Sequence, residues 1–199
     1  MWSVIQSALA AWWRELIPLT LMNVVWLLLQ LPLVTAAPAT AAFYTVAESV
    51  MAGDPASWQE FWQGFRRYFW KALRWGLLQV VVYGIGLFNL AYYGEEGGLL
   101  WDALRAAWVA GLVVWTALQL LYWPLLLAAA DQRIVNTWRN ALVMLTLNPL
   151  FVAVLLALTA VVVVLSVATA APIGLAMMAW ITLLGSAAVR RRLNAARQT

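Results

Sequence analysis

Four stretches of this chain contain no Asp, Glu, Lys or Arg: residues 16–47, 75–94, 106–130 and 140–189. A helix that crosses about 30 Å of hydrocarbon needs about 20 consecutive apolar residues, and a charged side chain inside a bilayer is costly. The pattern excludes a compact water-soluble domain. A chain of 199 residues that is 65% hydrophobic and only 10% charged lacks the polar surface to enclose its own apolar side chains. It predicts an all-α membrane protein of about five transmembrane helices in a single polytopic domain over 1–199. The second and third stretches each hold one span, near 75–93 and 106–130. The fourth is 50 residues long and takes two, near 149–168 and 172–189. Pro172 marks the turn between them. Asn148-Pro149 supplies a capping side chain followed by Pro at the first helical position. The first span is expected near 16–33. Beyond it the helix should kink or restart at Pro38, which has no amide donor and restricts Ala37.

Three amphipathic segments flank these spans, near 2–13, 57–74 and 134–147. In the first, Trp2, Ile5, Leu9, Trp12 and Leu16 fall near one stripe, as in a helix lying at a membrane surface. The first basic residue is Arg14, so no cleavable signal peptide is expected. In the second, Ser57 and Glu60 have capping-box spacing. Trp58, Phe61, Trp62, Phe65, Phe69 and Ala72 then recur on one face as a bilayer anchor, with Arg66, Arg67, Lys71 and Arg74 as contacts for anionic lipids. In the third, Trp138, Leu142 and Leu145 share a stripe. With the N-terminus outside, the cytoplasmic side holds Arg66, Arg67, Lys71, Arg74, Arg133, Arg139, Arg190, Arg191, Arg192 and Arg197, against Arg14 and Arg105 outside. The positive-inside rule then places the C-terminus in the cytoplasm. The segment Trp26-Leu-Leu-Leu-Gln30-Leu31 also resembles Trp115-Thr-Ala-Leu-Gln119-Leu120, which suggests two parallel helical-hairpin repeats plus one helix. Chance similarity in Leu/Ala-rich sequence is the competing account.

The run Asn23-Val-Val-Trp26-Leu-Leu-Leu-Gln30-Leu-Pro32, then Pro38-Ala-Thr-Ala-Ala-Phe-Tyr44, then Phe61-Trp62-Gln-Gly-Phe65-Arg66-Arg67, resembles the YesL-like family of bacterial integral membrane proteins. The residues that carry the likeness are Asn23, Trp26, Pro32, Pro38, Phe61, Trp62 and Phe65, and Ala37 stands where the family usually has Gly. The resemblance implies a location in the bacterial plasma membrane. It brings no established activity and no catalytic residues, and it implies association with carbohydrate uptake systems of the ATP-binding-cassette type.

The chain has no His and no Cys, which removes imidazole general bases, thiolate chemistry and His- or Cys-ligated metals. No catalytic residue, cofactor or metal site is expected. No predicted span carries an ionisable residue, so carboxylate proton relays are not expected either. Glu95-Glu96-Gly-Gly reads as an outer turn. The basic residues lie beside apolar runs and serve the membrane, so no nucleic-acid partner is expected. The candidate polar residues within the spans are Asn23, Gln30, Gln79 and Gln119, which either pin helices together or hold a ligand. The expected function is a non-enzymatic accessory or interaction subunit whose partners are the bilayer, its anionic lipids and another membrane protein complex. The alternative is a small transporter or substrate-binding component with a polar site near Gln30 and Gln119.

Overall fold

The computed structural model describes residues 1–93, 97–169 and 176–196, and every regular element among them is helical. In chain order these are α1 (Trp2–Arg14), α2 (Leu16–Leu28), α3 (Leu33–Ala52), α4 (Trp58–Tyr92), α5 (Leu99–Ala128), α6 (Ile134–Leu147), α7 (Pro149–Thr169) and α8 (Met177–Ala196). Three helices, Trp58–Tyr92, Leu99–Ala128 and Pro149–Ala168, are long and apolar enough to cross a membrane. The molecule is an all-helical membrane protein. Pro172, Glu95, Glu96 and Arg197, each given a role from sequence, lie outside the described residues.

The N-terminal part departs from the expected layout. α2 has only 13 residues, about 20 Å at 1.5 Å per residue, too short for a bilayer. The chain turns over 29–32 and α3 runs back beside α2, with the Trp26 indole N–H donating to Thr40 Oγ1 at 3.0 Å. The two feet of this hairpin meet. Arg14 donates to the Val50 carbonyl at 2.8 Å, and the Glu15 carboxylate accepts the Ala56 amide at 3.1 Å. The single span expected near 16–33 is therefore the first arm of a helical hairpin. The uncharged stretch 16–47 is long enough for two short helices. The break falls at Pro32, the N-cap of α3, whereas Pro38 sits inside that helix. Pro38 has no amide to bond the Val34 carbonyl, yet the helix runs on through it. The hairpin also corrects the place of Arg14. It lies at the same end of the molecule as Glu48 and Arg190, which pair at 2.9 Å, and not at the opposite end.

A second departure is α4. The surface helix near 57–74 and the span near 75–93 form one continuous helix of 35 residues, about 52 Å long. Ser57 occupies its N-cap position but makes no side-chain capping bond, and the Glu60 carboxylate accepts the Ser49 hydroxyl instead. The capping box is not formed because α3 offers Glu60 a partner. α4 lies antiparallel to α3, with Gly64 against Thr45 and Gly76 against Ala37. Phe61, Gly64, Tyr68 and Ala72 form the buried stripe. Phe61 meets Phe43 edge-on at 6.3 Å and is a core residue, not a bilayer anchor, while Trp62 and Trp70 face outward.

α8 threads the centre. α1 packs with the stripe Val4, Ala8 and Ala11 buried, leaving Trp2 and Leu9 of the expected stripe exposed, and Trp12 meets Trp180 in a tilted contact at 5.6 Å. α3 and α5 close on Gly185, where an added Cβ would lie 3.3 Å from the Leu120 carbonyl. Phe43, Tyr122, Trp123 and Leu183 are fully buried in this core. The far halves of α4, α5 and α7 instead expose Val80, Ile85, Phe88, Val113 and Val164, as lipid-facing helices do.

Candidate functional site: hydrogen-bonded clusters and a polar cavity

The hairpin turn is built from the residues that carry the family likeness. Asn23 is fully buried, and its Oδ1 accepts the amide of Met178 in the first turn of α8 at 2.9 Å. Trp26 ties α2 to α3 through Thr40. The amides of Leu29, Gln30 and Leu31 donate to carbonyls of the preceding turn, and the Gln30 side chain donates to the Trp26 carbonyl at 3.0 Å. Thr35 Oγ1 covers the Leu29 and Pro32 carbonyls at 2.6 and 2.8 Å. These bonds satisfy backbone groups of the turn internally, as a turn surrounded by hydrocarbon would require. Ala37, at the usual Gly position, still meets a neighbouring helix closely, because Gly76 stands opposite it and a Cβ there would fall 2.6 Å from that of Ala37.

The second cluster lies between α4 and α5. Gln119 Oε1 accepts from the Trp75 indole at 2.8 Å and from Gln79 Nε2 at 2.7 Å, and Gln79 Oε1 accepts from the Trp115 indole at 2.8 Å. Tyr83 and Thr116 share a further hydrogen bond at 2.8 Å. Gln119 Nε2 is buried with no partner among the described residues. The signal for this cluster was in the sequence. Within the four uncharged stretches, Trp-x-x-x-Gln occurs at Trp26–Gln30, Trp75–Gln79 and Trp115–Gln119, and i,i+4 spacing puts both side chains on one helix face. The short connection between α4 and α5 makes them antiparallel neighbours, so the second and third copies interlock. Gln30 and Gln119 share no hydrogen-bond partner and sit in unlike places, one at a helix break and the other within a 30-residue helix. The structure does not bring together the two residues on which the alternative site rested, nor does it make the two segments alike.

The third feature, missed from the sequence, is a polar cavity of about 550 Å³ at the end where the hairpin feet meet. α3 contributes Glu48 and Ser49, α4 contributes Glu60, Arg67 and Tyr68, and α8 contributes Arg190. Arg190 Nε donates to Glu48 Oε2 at 2.9 Å and its Nη2 to the Glu48 carbonyl at 2.7 Å. That leaves Glu48 Oε1 buried with no hydrogen-bond partner among the described residues. Gln132 closes one wall with a φ of 46°, left-handed backbone that costs a non-glycine residue about 1–2 kcal/mol. It is held by Lys71, which donates to its carbonyl at 3.0 Å, and by its own donation to the Tyr68 hydroxyl at 2.9 Å. Beside it, Asn136 and the Arg133 amide hold the exposed Asp131 carboxyl below the usual carboxylate range. Of the four cations assigned to lipid, Arg66, Arg67 and Arg74 are exposed on α4 and Lys71 is engaged with Gln132. The residues of the cavity were visible as charges near helix ends, but their convergence depends on the hairpin.

Residues 19–90, which take in nearly all of the hairpin and α4, match a family described as "Protein of unknown function, DUF624". YesL-like proteins belong to this family, so the resemblance carried by Asn23–Tyr44 and Phe61–Arg67 holds. Comparison with curated proteins and with solved structures returned no match.

Proposed function

We infer that the protein is a non-enzymatic integral-membrane subunit that accompanies another membrane protein complex. The observation that supports this most is where its intramembrane polar groups are spent. Asn23, Gln30, Gln79 and Gln119 each bond to the protein's own helices, although Gln119 Nε2 has no partner among the described residues. A carrier needs such groups free to exchange partners with a substrate, whereas a scaffold uses them to fix helix packing at about 0.6 kcal/mol each. The family resemblance points to the bacterial plasma membrane and to carbohydrate uptake driven by an ATP-binding-cassette system, with the ATPase on another chain.

In this reading the basic end faces the cytoplasm. Arg14, Arg67, Lys71 and Arg190 gather there, while Arg105 bonds the Tyr93 carbonyl at the far end of α4. α4, α5, α7 and α8 cross the bilayer, α2–α3 dips in and returns, and both described ends of the chain lie on the cytoplasmic side. This arrangement replaces five crossings with an outside N-terminus, because Arg14 and Glu15 are bonded to Val50 and Ala56. Arg66, Arg67 and Arg74 meet anionic lipid at that surface.

Purification from native membranes, with mass spectrometry of what comes along, tests the function. A membrane protein retained at fixed stoichiometry is the expected result. Purification alone, together with substrate uptake by the isolated protein in proteoliposomes, would overturn it in favour of a small transporter.

A further inference from the structure

The cavity at the basic end carries an unsatisfied pair of opposite character. Glu48 Oε1 is buried and lacks a donor among the described residues. Such a group forfeits its hydration unless a ligand or water supplies the missing hydrogen bond. On the same cavity stands Arg67, which lies over the face of Tyr68 at 5.4 Å and forms no ion pair among the described residues. Arg190 already commits its Nε and Nη2 to Glu48. The Glu60 carboxylate adds a second acidic group, held by Ser49. Two carboxylates and two guanidiniums on one cavity leave no net charge to favour a simple anion or a simple cation.

From this we propose that the cavity binds a zwitterion: a primary ammonium against Glu48 Oε1, and a phosphate or carboxylate against Arg67. The volume, about 550 Å³, suits a small head group. The orphan oxygen needs a hydrogen-bond donor, so a primary ammonium fits and a quaternary one does not. Arg67 presents a planar fork of donors, which suits an acidic oxygen pair. The same chemistry occurs in a phosphatidylethanolamine head group entering from the bilayer and in a soluble amino acid or phosphoethanolamine entering from the cytoplasm. The site stands whether or not the protein is an accessory subunit.

The test uses the full chain purified in a detergent without a zwitterionic head group. Phosphoethanolamine, ethanolamine alone and inorganic phosphate alone are compared as soluble probes. Nanodiscs of phosphatidylethanolamine, phosphatidylcholine and phosphatidylglycerol are compared as lipid probes. Binding is read as a rise in Tm, a few degrees at about ten times Kd. The expected result is a rise with phosphoethanolamine or with phosphatidylethanolamine that neither half-molecule and neither other lipid reproduces. Whichever of the two responds identifies the source. Glu48→Gln and Arg67→Gln should each abolish it, and Arg66→Gln, off the cavity, should keep it. Because Glu48→Gln also disturbs the Arg190 pair, exposed Arg67 is the decisive position if that variant fails to fold. An equal response to phosphate alone or to ethanolamine alone, no response to any probe, or a response that survives Arg67→Gln would each overturn the proposal.

Discussion

Gln79 and Gln119 each engage both a glutamine and a tryptophan on the neighbouring helix, so neither can be removed without stranding its partners. Gln119→Leu leaves the Trp75 indole and the Gln79 amide without their acceptor. A loss of about 1–2 kcal/mol is expected in reversible unfolding from detergent. The Gln79→Leu, Gln119→Leu double variant should lose less than the sum of the single losses, since most of each penalty is the other's unpaired group. Strict additivity would mean that the two side chains do not act together. At this scale the sequence was legible in part. Polar residues inside uncharged stretches stood out, but their partners did not, because a shared motif can be read as a repeat or as two halves of one contact. Gln30 and Gln119 invited the first reading. The antiparallel neighbours α4 and α5 make Gln79 and Gln119 an instance of the second.

Element lengths followed the charge pattern wherever that pattern and the backbone change together. α7 begins at Pro149 and α5 fills the third uncharged stretch, extending some residues before it. They diverge in α4, where the charges stop at Arg74 while the helix continues to Tyr92. They diverge again at 29–32, where a turn forms with no charged residue to announce it. Tertiary packing decides both cases, through Gly64 and Gly76 on α4 and through Asn23, Trp26 and Thr35 at the hairpin. Glycines on a single helix should therefore respond oppositely to a methyl group. At Gly76 a Cβ would sit 2.6 Å from Ala37, whereas at Gly84 nothing lies within 4 Å. Gly76→Ala should cost about 1–3 kcal/mol by forcing α3 and α4 apart. Gly84→Ala should gain up to about 1 kcal/mol in helix propensity. Thermal melting of the two variants side by side checks the sign of each.

For the whole molecule, the proposed topology turns on the hairpin. The chain has no cysteine, so single Cys residues report directly. Ser3 and Ala195, both exposed, should be shielded from a membrane-impermeant maleimide in intact cells, while Gly97, beyond α4, should react. Labelling of Ser3 together with Gly97 would restore an odd number of crossings. The same hairpin sets an order of assembly. A buried polar contact joins its Asn23 to Met178, 155 positions apart, and its long flank rests on α4. During synthesis the hairpin is thus among the first segments to leave the ribosome and the last to be finished. α4 gives it a wall, but the amide that Asn23 caps does not exist until α8 is made. Until then the bond from α8 to Asn23 Oδ1 is missing from the half-built bundle. Chains stalled or truncated before residue 178 should be the ones that membrane quality-control proteases recognise, long after the N-terminal motif itself has been made.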